Sequence, residues 1–239
     1  MRFFRSFLVP LALAAITFQA YVVAQATEVT AQAKVKFTGA SSKSEHRSND
    51  GVVLWLTTVD AALPARSSGQ TRNHFQLAQK NKQFVPHLLV VQTGSVVDFP
   101  NFDPFFHNVF SYFNGKRFDL GLYESGSSRS VHFDRPGISY IFCNIHPEMS
   151  AVVVSVPTPY YATSSSSGSL VIRDVAPGNY TMHVWAMGNS DASLAAIGRR
   201  ITVSGESIDL GTLALEESAP GPHKNKFGQD YETRNTPTY

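Results

Sequence analysis

Residues 137–156 read GISYIFCNIHPEMSAVVVSV, and this stretch decides which class of protein the chain encodes. Its two ends, GISYIF and AVVVSV, are rich in β-branched and aromatic residues and predict two strands. The loop between them carries Cys143, His146 and Met149 with the spacing C-x2-H-x2-M. A loop this short brings the three side chains around one point, which predicts a metal site at the end of a strand pair.

A fourth candidate ligand, His107, lies upstream in the segment FFHNV at the start of another predicted strand. A thiolate, two imidazoles and a distant thioether form a soft trigonal site with a weak axial ligand, which is typical of electron-transfer copper. Taken singly, Cys143 would be a small buried apolar residue and each histidine a structural one, so only the combination favours ligands. Met149 has a second interpretation as a core residue, with the axial position empty or filled by a backbone carbonyl. We expect the side chain of Asn108 to reach the loop of Cys143 and orient it.

The rest of the chain consists of short apolar runs separated by Gly, Pro, Asn and Ser, and helical periodicity is almost absent after the N-terminal segment. This pattern predicts an all-β fold of sandwiches or barrels. The predicted strands are Thr30–Phe37, Val52–Thr58, His74–Gln79, Phe84–Gln92, Ser95–Pro100, His107–Phe113, Ser128–Phe133, Gly137–Cys143, Ala151–Val156, Ser169–Asp174, Tyr180–Ala186, Arg199–Val203 and Ile208–Ala214.

A change of composition near residue 157 predicts two domains. Residues 27–156 are expected to form the first, and residues 169–215 a second, smaller sandwich. The serine-rich segment 157–168 is expected to be a linker between them. Residues 216–239 are polar and rich in Pro, Gly, Asn and Lys, which predicts a flexible tail.

The N-terminus has the features of an export signal. Arg2 and Arg5 precede a largely apolar run, and a small-residue cleavage pattern follows at Ala24-Gln25-Ala26. We expect residues 1–26 to be a cleaved signal peptide, which leaves a periplasmic or secreted protein without stable membrane insertion. The alternative is an uncleaved membrane anchor, because the apolar run is nearly long enough to span a bilayer.

Charge and cysteine usage narrow the function classes further. The chain has 20 basic and 18 acidic residues. Residues 1–26 contain two arginines and no acidic residue, so residues 27–239 contain 18 basic and 18 acidic residues. A near-neutral protein offers no electrostatic basis for binding nucleic acid.

Cys143 is the one cysteine, so the exported chain has no internal disulfide, and its thiol must be free, paired between chains or bound to a ligand.

The segment from Val85 to Val156 resembles the plastocyanin–amicyanin group of blue copper proteins, and its short ligand loop is more similar to that of amicyanin. The full pattern is similar to a bacterial family of methylamine-utilisation-type, cupredoxin-like periplasmic proteins, in which a carboxypeptidase-regulatory-like sandwich follows the cupredoxin domain. The resemblance implies a Greek-key cupredoxin β-sandwich followed by a second small β-sandwich, with copper on His107, Cys143, His146 and Met149. The motifs that carry it are Phe99-Pro-Asn, His107-Asn-Val-Phe-Ser, Phe118-Asp-Leu-Gly-Leu-Tyr and the Cys143 loop, then Asp174-Val-Ala-Pro-Gly-Asn-Tyr and His183-Val-Trp185 in the second domain.

Together these features predict a mononuclear type 1 copper protein that transfers one electron and is not an enzyme. A copper oxidase or nitrite reductase needs a second metal centre, commonly marked by His-x-His pairs, and the sequence contains no such pair. The alternative is a copper-binding carrier or a cell-envelope binding module with a cupredoxin fold. The redox partner is unknown, and we expect it to dock near a partly exposed His146 and the apolar residues Phe105, Phe106 and Pro147.

Overall fold

The computed structural model of the chain describes residues 29–38, 48–59, 73–112, 115–216, 226–227 and 229. The predicted signal peptide, residues 1–26, and most of the predicted tail lie outside the described residues. Within them the fold is all-β, as predicted, with 17 strands and one helix of seven residues. No described helix is long and apolar enough to cross a membrane.

The one helix, α1 (Asp191–Ile197), begins after Ser190. The hydroxyl of Ser190 accepts a hydrogen bond from the backbone N–H of Ser193 and so caps the helix. The strands are β1 (Ala31–Thr38), β2 (Val53–Thr58), β3 (His74–Gln76), β4 (Ala78–Lys80), β5 (Gln83–Val85), β6 (Leu88–Gln92), β7 (Val96–Pro100), β8 (His107–Ser111), β9 (Phe118–Tyr123), β10 (Ser128–His132), β11 (Gly137–Phe142), β12 (Ser150–Val156), β13 (Tyr161–Thr163), β14 (Ser169–Ile172), β15 (Gly178–Trp185), β16 (Arg199–Val203) and β17 (Ile208–Glu216).

Two sheets enclose the first hydrophobic core. One has the strand order β6-β12-β11-β8-β9, and the other has the order β10-β7-β3. Apolar side chains of both sheets pack in one cluster, among them Phe99, Val109, Ile141 and Val153. This first sandwich carries the predicted metal ligands at the start of β8 and in the loop between β11 and β12.

A second core lies between the sheet β14-β1-β17 and the sheet β13-β2-β15-β16. Strand β1 shows the pattern of a sheet with one solvated face. Ala31, Ala33 and Val35 are buried in this core, whereas Gln32 and Lys34 between them are exposed. Alternation of this kind is expected where one face of a strand packs on a core and the other meets water.

The strand pairing contradicts the predicted domain division at the N-terminus. Residues 27–156 were expected to form one domain, yet β1 pairs with β14 and β17, and β2 pairs with β13 and β15. Strand β13 itself lies inside 157–168, the segment that was expected to be a linker. The alternation in β1 predicts a half-buried strand but not its partner, because any sheet with an apolar face satisfies it. The second sandwich is therefore built from both ends of the chain.

Strand β12 connects the two cores because both of its faces are buried. Ala151 and Val153 belong to the first core, and Val152, Val154 and Val156 belong to the second. A strand that is buried on both faces has a near-continuous apolar sequence in place of an alternating one. This explains why the run AVVVSV, which follows the predicted ligand loop, shows no polar–apolar alternation.

Gly168 allows the segment before β14 to approach strand β1 closely. Its carbonyl accepts a hydrogen bond from the backbone N–H of Val35 at 2.8 Å, and its φ is +78°. A β-carbon at this position would collide with the carbonyl oxygen of Val35. Gly51 has nearly the same φ, +77°, but no heavy atom lies within 4 Å of the position that its β-carbon would take.

We expect Gly168→Ala to lower the free energy of unfolding by about 2–4 kcal/mol, because the new methyl group adds a collision to the cost of a left-handed conformation. Gly51→Ala carries the conformational cost alone and is expected to lose about 1–2 kcal/mol. Denaturant titration of both variants measures the difference. Equal losses would show that the close approach of Gly168 to Val35 does not contribute.

Candidate metal centre

The fold brings three of the predicted ligands together. His107 is the first residue of β8, Cys143 directly follows β11, and His146 lies in the loop that leads to β12. Antiparallel pairing of Phe142 with Phe110 directs the residues that follow β11 towards the start of β8. One ligand atom from each of the three residues lies within 4.8 Å of the other two, and all three side chains are buried.

The distances between these atoms fit a trigonal metal site. Sγ of Cys143 lies 3.7 Å from Nδ1 of His107 and 3.6 Å from Nδ1 of His146. With metal–nitrogen bonds of about 2.0 Å and a metal–sulfur bond of about 2.3 Å, trigonal angles separate nitrogen from sulfur by about 3.7 Å. One thiolate and two imidazole nitrogens at this spacing suit a copper ion.

The loop of Cys143 is closed by its own backbone. The N–H of Cys143 donates to the carbonyl of Met149 at 3.2 Å, and the N–H of Met149 donates to the carbonyl of His146 at 3.0 Å. Burial raises the pKa of the Cys143 thiol, and hydrogen bonds from the backbone N–H groups of Asn108, Ile145 and His146 act in the opposite direction. These N–H groups favour the thiolate, which is the form of cysteine that binds a metal.

A buried carboxylate fixes the orientation of His107. Nε2 of His107 donates a hydrogen bond to Oδ2 of Asp103 at 2.8 Å, and both side chains are almost fully buried. An ionised carboxylate only accepts hydrogen bonds, so the imidazole proton lies on Nε2 and the lone pair of Nδ1 faces the sulfur. Burial lowers the pKa of His107 although Asp103 opposes this effect, and a neutral imidazole is the form that binds a metal.

The carboxylate of Asp103 is held in place by backbone N–H groups of the turn between β4 and β5. Its Oδ1 accepts from the N–H of Asn81 at 2.6 Å, and its Oδ2 accepts from the N–H of Lys82 at 2.9 Å. Burial acts to raise the pKa of Asp103, but the hydrogen bonds from Lys82, His107 and Asn81 outweigh it and lower the pKa. Asp103 was not among the predicted site residues, although its spacing of four residues from His107 in the segment DPFFH was a usable signal.

The side chain of Asn108 points to a different partner from the one expected. Its Nδ2 donates to Oδ1 of Asp119 on the neighbouring strand β9 at 2.8 Å. Oδ2 of Asp119 accepts from Nζ of Lys226 at 3.0 Å, and the backbone N–H of Lys226 donates to Oδ1 of Asn144 at 3.1 Å. Lys226, a residue of the predicted C-terminal tail, therefore contacts the segment of Cys143 directly through Asn144, and it reaches the segment of His107 only through Asp119.

His146 and Met149 are both fully buried. His146 is 1% exposed, which contradicts the expectation of a partly exposed ligand.

The ring of Phe105 packs on the site, with its centroid 5.1 Å from that of His107 and 5.7 Å from that of His146. The loop of Phe105 is held by Nδ2 of Asn101, which donates to the Phe105 carbonyl at 2.8 Å, a contact that no sequence pattern indicates. Met149 lies in the same core cluster as Cys143, and its role as axial ligand stays a prediction.

One family model matches part of the chain. Residues 153–210 match the model described as polysaccharide lyase family 4, domain II. These residues include β14, β15 and β16 of the second sandwich, for which the sequence resemblance implied a carboxypeptidase-regulatory-like domain. The match is therefore to a different family from the one expected. No curated protein matches the chain.

Several solved structures of copper proteins are similar to a minority of the chain. The copper-containing nitrite reductase of Thermus scotoductus is 21% identical with a TM-score of 0.33 over 35% of this chain, which spans only 22% of that enzyme. A purple cupredoxin of Nitrosopumilus maritimus is 22% identical with a TM-score of 0.31, covering 34% of this chain and 98% of that protein. A reduced amicyanin variant is 19% identical with a TM-score of 0.32, covering 42% of this chain and 97% of amicyanin. The assignment of the site depends on its own geometry.

We expect Asp103→Asn to lower the free energy of unfolding by about 2–3 kcal/mol, because a single amide oxygen replaces two carboxylate oxygens that accept from buried N–H groups. Asp134→Asn is the matched control. It removes a half-exposed ion pair with Lys116 at 3.0 Å and is expected to cost much less, because water screens the pair. Denaturant titration of both variants checks the prediction, and a loss at Asp103 no larger than at Asp134 would contradict it.

Proposed function

We propose that this chain is an exported mononuclear type 1 copper protein that transfers one electron at a time. The observation that carries the proposal is the buried triangle of His107 Nδ1, Cys143 Sγ and His146 Nδ1, with nitrogen–sulfur distances of 3.7 and 3.6 Å. Copper bound by these three atoms, with Met149 as a weak axial ligand, would supply a one-electron redox couple.

The residues around the triangle support this function because they hold its shape. Asp103 fixes the ring of His107, and the hydrogen bond between Cys143 and Met149 closes the ligand loop. Backbone N–H groups directed at the sulfur stabilise its charge without a mobile side chain. A donor set that keeps one shape in both oxidation states needs little rearrangement when an electron enters or leaves.

The burial of the site favours electron transfer over catalysis. His107 and Cys143 are 0% exposed and His146 is 1% exposed. A catalytic metal keeps an open coordination position at which water or substrate binds, and a buried donor set leaves little access for either. We therefore propose that the protein is not an enzyme.

An apolar surface beside the site suits brief contact with a redox partner. Phe102 and Phe106 are 57% and 53% exposed, and Pro147, which follows the ligand His146, is also exposed. Exposed apolar patches of this kind mark contact surfaces on soluble proteins. Because Phe105 touches both imidazoles from the same loop, we propose that the partner docks on this loop and on Pro147.

Copper(II) titration of residues 27–239, followed by visible and electron paramagnetic resonance spectra, tests the proposed site. We expect an intense thiolate-to-copper charge-transfer band and narrow copper hyperfine splitting. Both should be lost in Cys143→Ser and strongly altered in His146→Gln. His132→Gln, at an exposed histidine outside the triangle, should keep the spectrum. An ordinary tetragonal copper spectrum that survives Cys143→Ser would reject the ligand assignment.

The same preparation distinguishes electron transfer from copper delivery. A buried site with preformed ligands should keep its copper in the presence of a competing chelator and through repeated cycles of reduction and oxidation. A carrier would release the metal to the chelator at once. Rapid release would favour the carrier function and contradict the redox function.

We expect Met149→Leu to raise the reduction potential, because loss of a thioether donor destabilises copper(II) more than copper(I). Met182→Leu is the matched control, since Met182 is 0% exposed but belongs to the core of the second sandwich. Spectroelectrochemical titration of both variants measures the potential. An unchanged potential in Met149→Leu would assign Met149 to the core alone.

A further inference from the structure

A cleft between the two sandwiches has the size and lining of a small-molecule site. Its volume is about 790 Å³, within the range of about 300–1,000 Å³ that is usual for ligand sites. Strands β2, β15 and β16 form one wall, while Ile138 of β11 and Val154 of β12 contribute another. Helix α1 adds Leu194 and Asp191. The cleft is separate from the proposed copper site, and nothing in the copper function uses it.

The wall from the second sandwich presents a pair of stacked rings. Trp55 and His183 are directly opposite each other on β2 and β15, with ring centroids 5.2 Å apart at an angle of 13°. His183 Nε2 lies 2.7 Å from Oγ1 of Thr57. Burial lowers the pKa of His183, so the imidazole is neutral and adds no positive charge to the cleft. The second tryptophan of the chain, Trp185, also lines this cleft.

Arginine supplies the positive charge of the cleft. Arg199 and Arg200 line it together with one acidic residue, Asp191. The guanidinium of Arg199 donates to the backbone carbonyl of Leu210. Arg200 pairs across the strands with Thr181, in the same row of the sheet as Thr57. Among the described residues no hydrogen bond of the Arg200 side chain is found, so its guanidinium is available to an anionic group.

We infer that this cleft binds a small molecule that carries an aromatic ring and a carboxylate. The apolar lining and the ring pair suit an aromatic group, because aromatic rings prefer stacked or edge-to-face contact with other rings. The Arg200 guanidinium suits a carboxylate, which it can bind with two parallel hydrogen bonds.

The polar lining argues against a sugar as the ligand. A pyranose brings several hydroxyl groups, and each one needs a hydrogen-bond partner when it is buried. Of the three hydroxyl side chains in the lining, two are already engaged: Thr57 with His183, and Ser155 with Oγ1 of Thr93 at 3.2 Å. Hydroxyl groups would instead meet apolar side chains such as Val154.

Intrinsic fluorescence provides a site-specific test, because both tryptophans of the chain line the cleft. Residues 27–239 are titrated with 3-phenylpropionate, with its neutral amide and with glucuronate, and tryptophan is excited alone. Calorimetric titration confirms each binding curve. We expect saturable binding of 3-phenylpropionate that weakens about tenfold or more in Arg200→Gln and for the amide. Arg117→Gln, at an exposed arginine on the first sandwich, should bind as the unmodified chain does.

Each other outcome overturns the inference. No saturable binding of 3-phenylpropionate would show that the cleft does not take aromatic acids. Equal affinity in Arg200→Gln would remove the arginine as the carboxylate anchor. Tighter binding of glucuronate than of 3-phenylpropionate would assign the cleft to acidic sugars.

Discussion

The structure depends on strand β12, which is buried on both faces. Its alternate residues belong to two different core clusters, so this one strand links the packing of the two sandwiches. The strand also begins one residue after Met149, at the end of the proposed ligand loop. The loop is therefore anchored at one end by β11 and at the other by a strand that is constrained from both sides. This accounts for a donor triangle whose spacing already suits a metal.

The candidate metal centre is a buried polar network within an apolar core. A buried carboxylate and two imidazoles are costly unless every polar group finds a partner, and here the partners come from distant segments. Asp103 accepts hydrogen bonds from the β4–β5 turn as well as from His107, which ties the ligand to a hairpin more than 20 residues earlier. The same network explains the buried position of His146, because Phe105 lies on the loop that Asp103 and Asn101 hold in place.

The second sandwich does not simply follow the first along the chain. It takes strands β1 and β2 from the N-terminal part of the chain and shares the side chains of β12 with the first sandwich. The cleft lies where the two meet, and its walls come from both. A ligand in the cleft would touch Val154, on the strand that leads away from the metal loop. The two halves of the protein are thus connected through packing as well as through the chain.

The sequence by itself determined the all-β class and the grouping of His107, Cys143 and His146. The class follows from local chemistry, because β-branched runs between turn residues favour strands. The grouping follows from the donor types, because a thiolate with two imidazoles and a thioether is the donor set of a copper site. Only the tertiary structure decided that β1 and β2 belong to the second sandwich, that Asp103 orients His107 and that Asn108 bonds to Asp119. These features depend on which strands pair and on how loops close over one another. Alternating or continuous apolar residues predict that a strand is buried, but they do not predict which other strand or sheet it packs against.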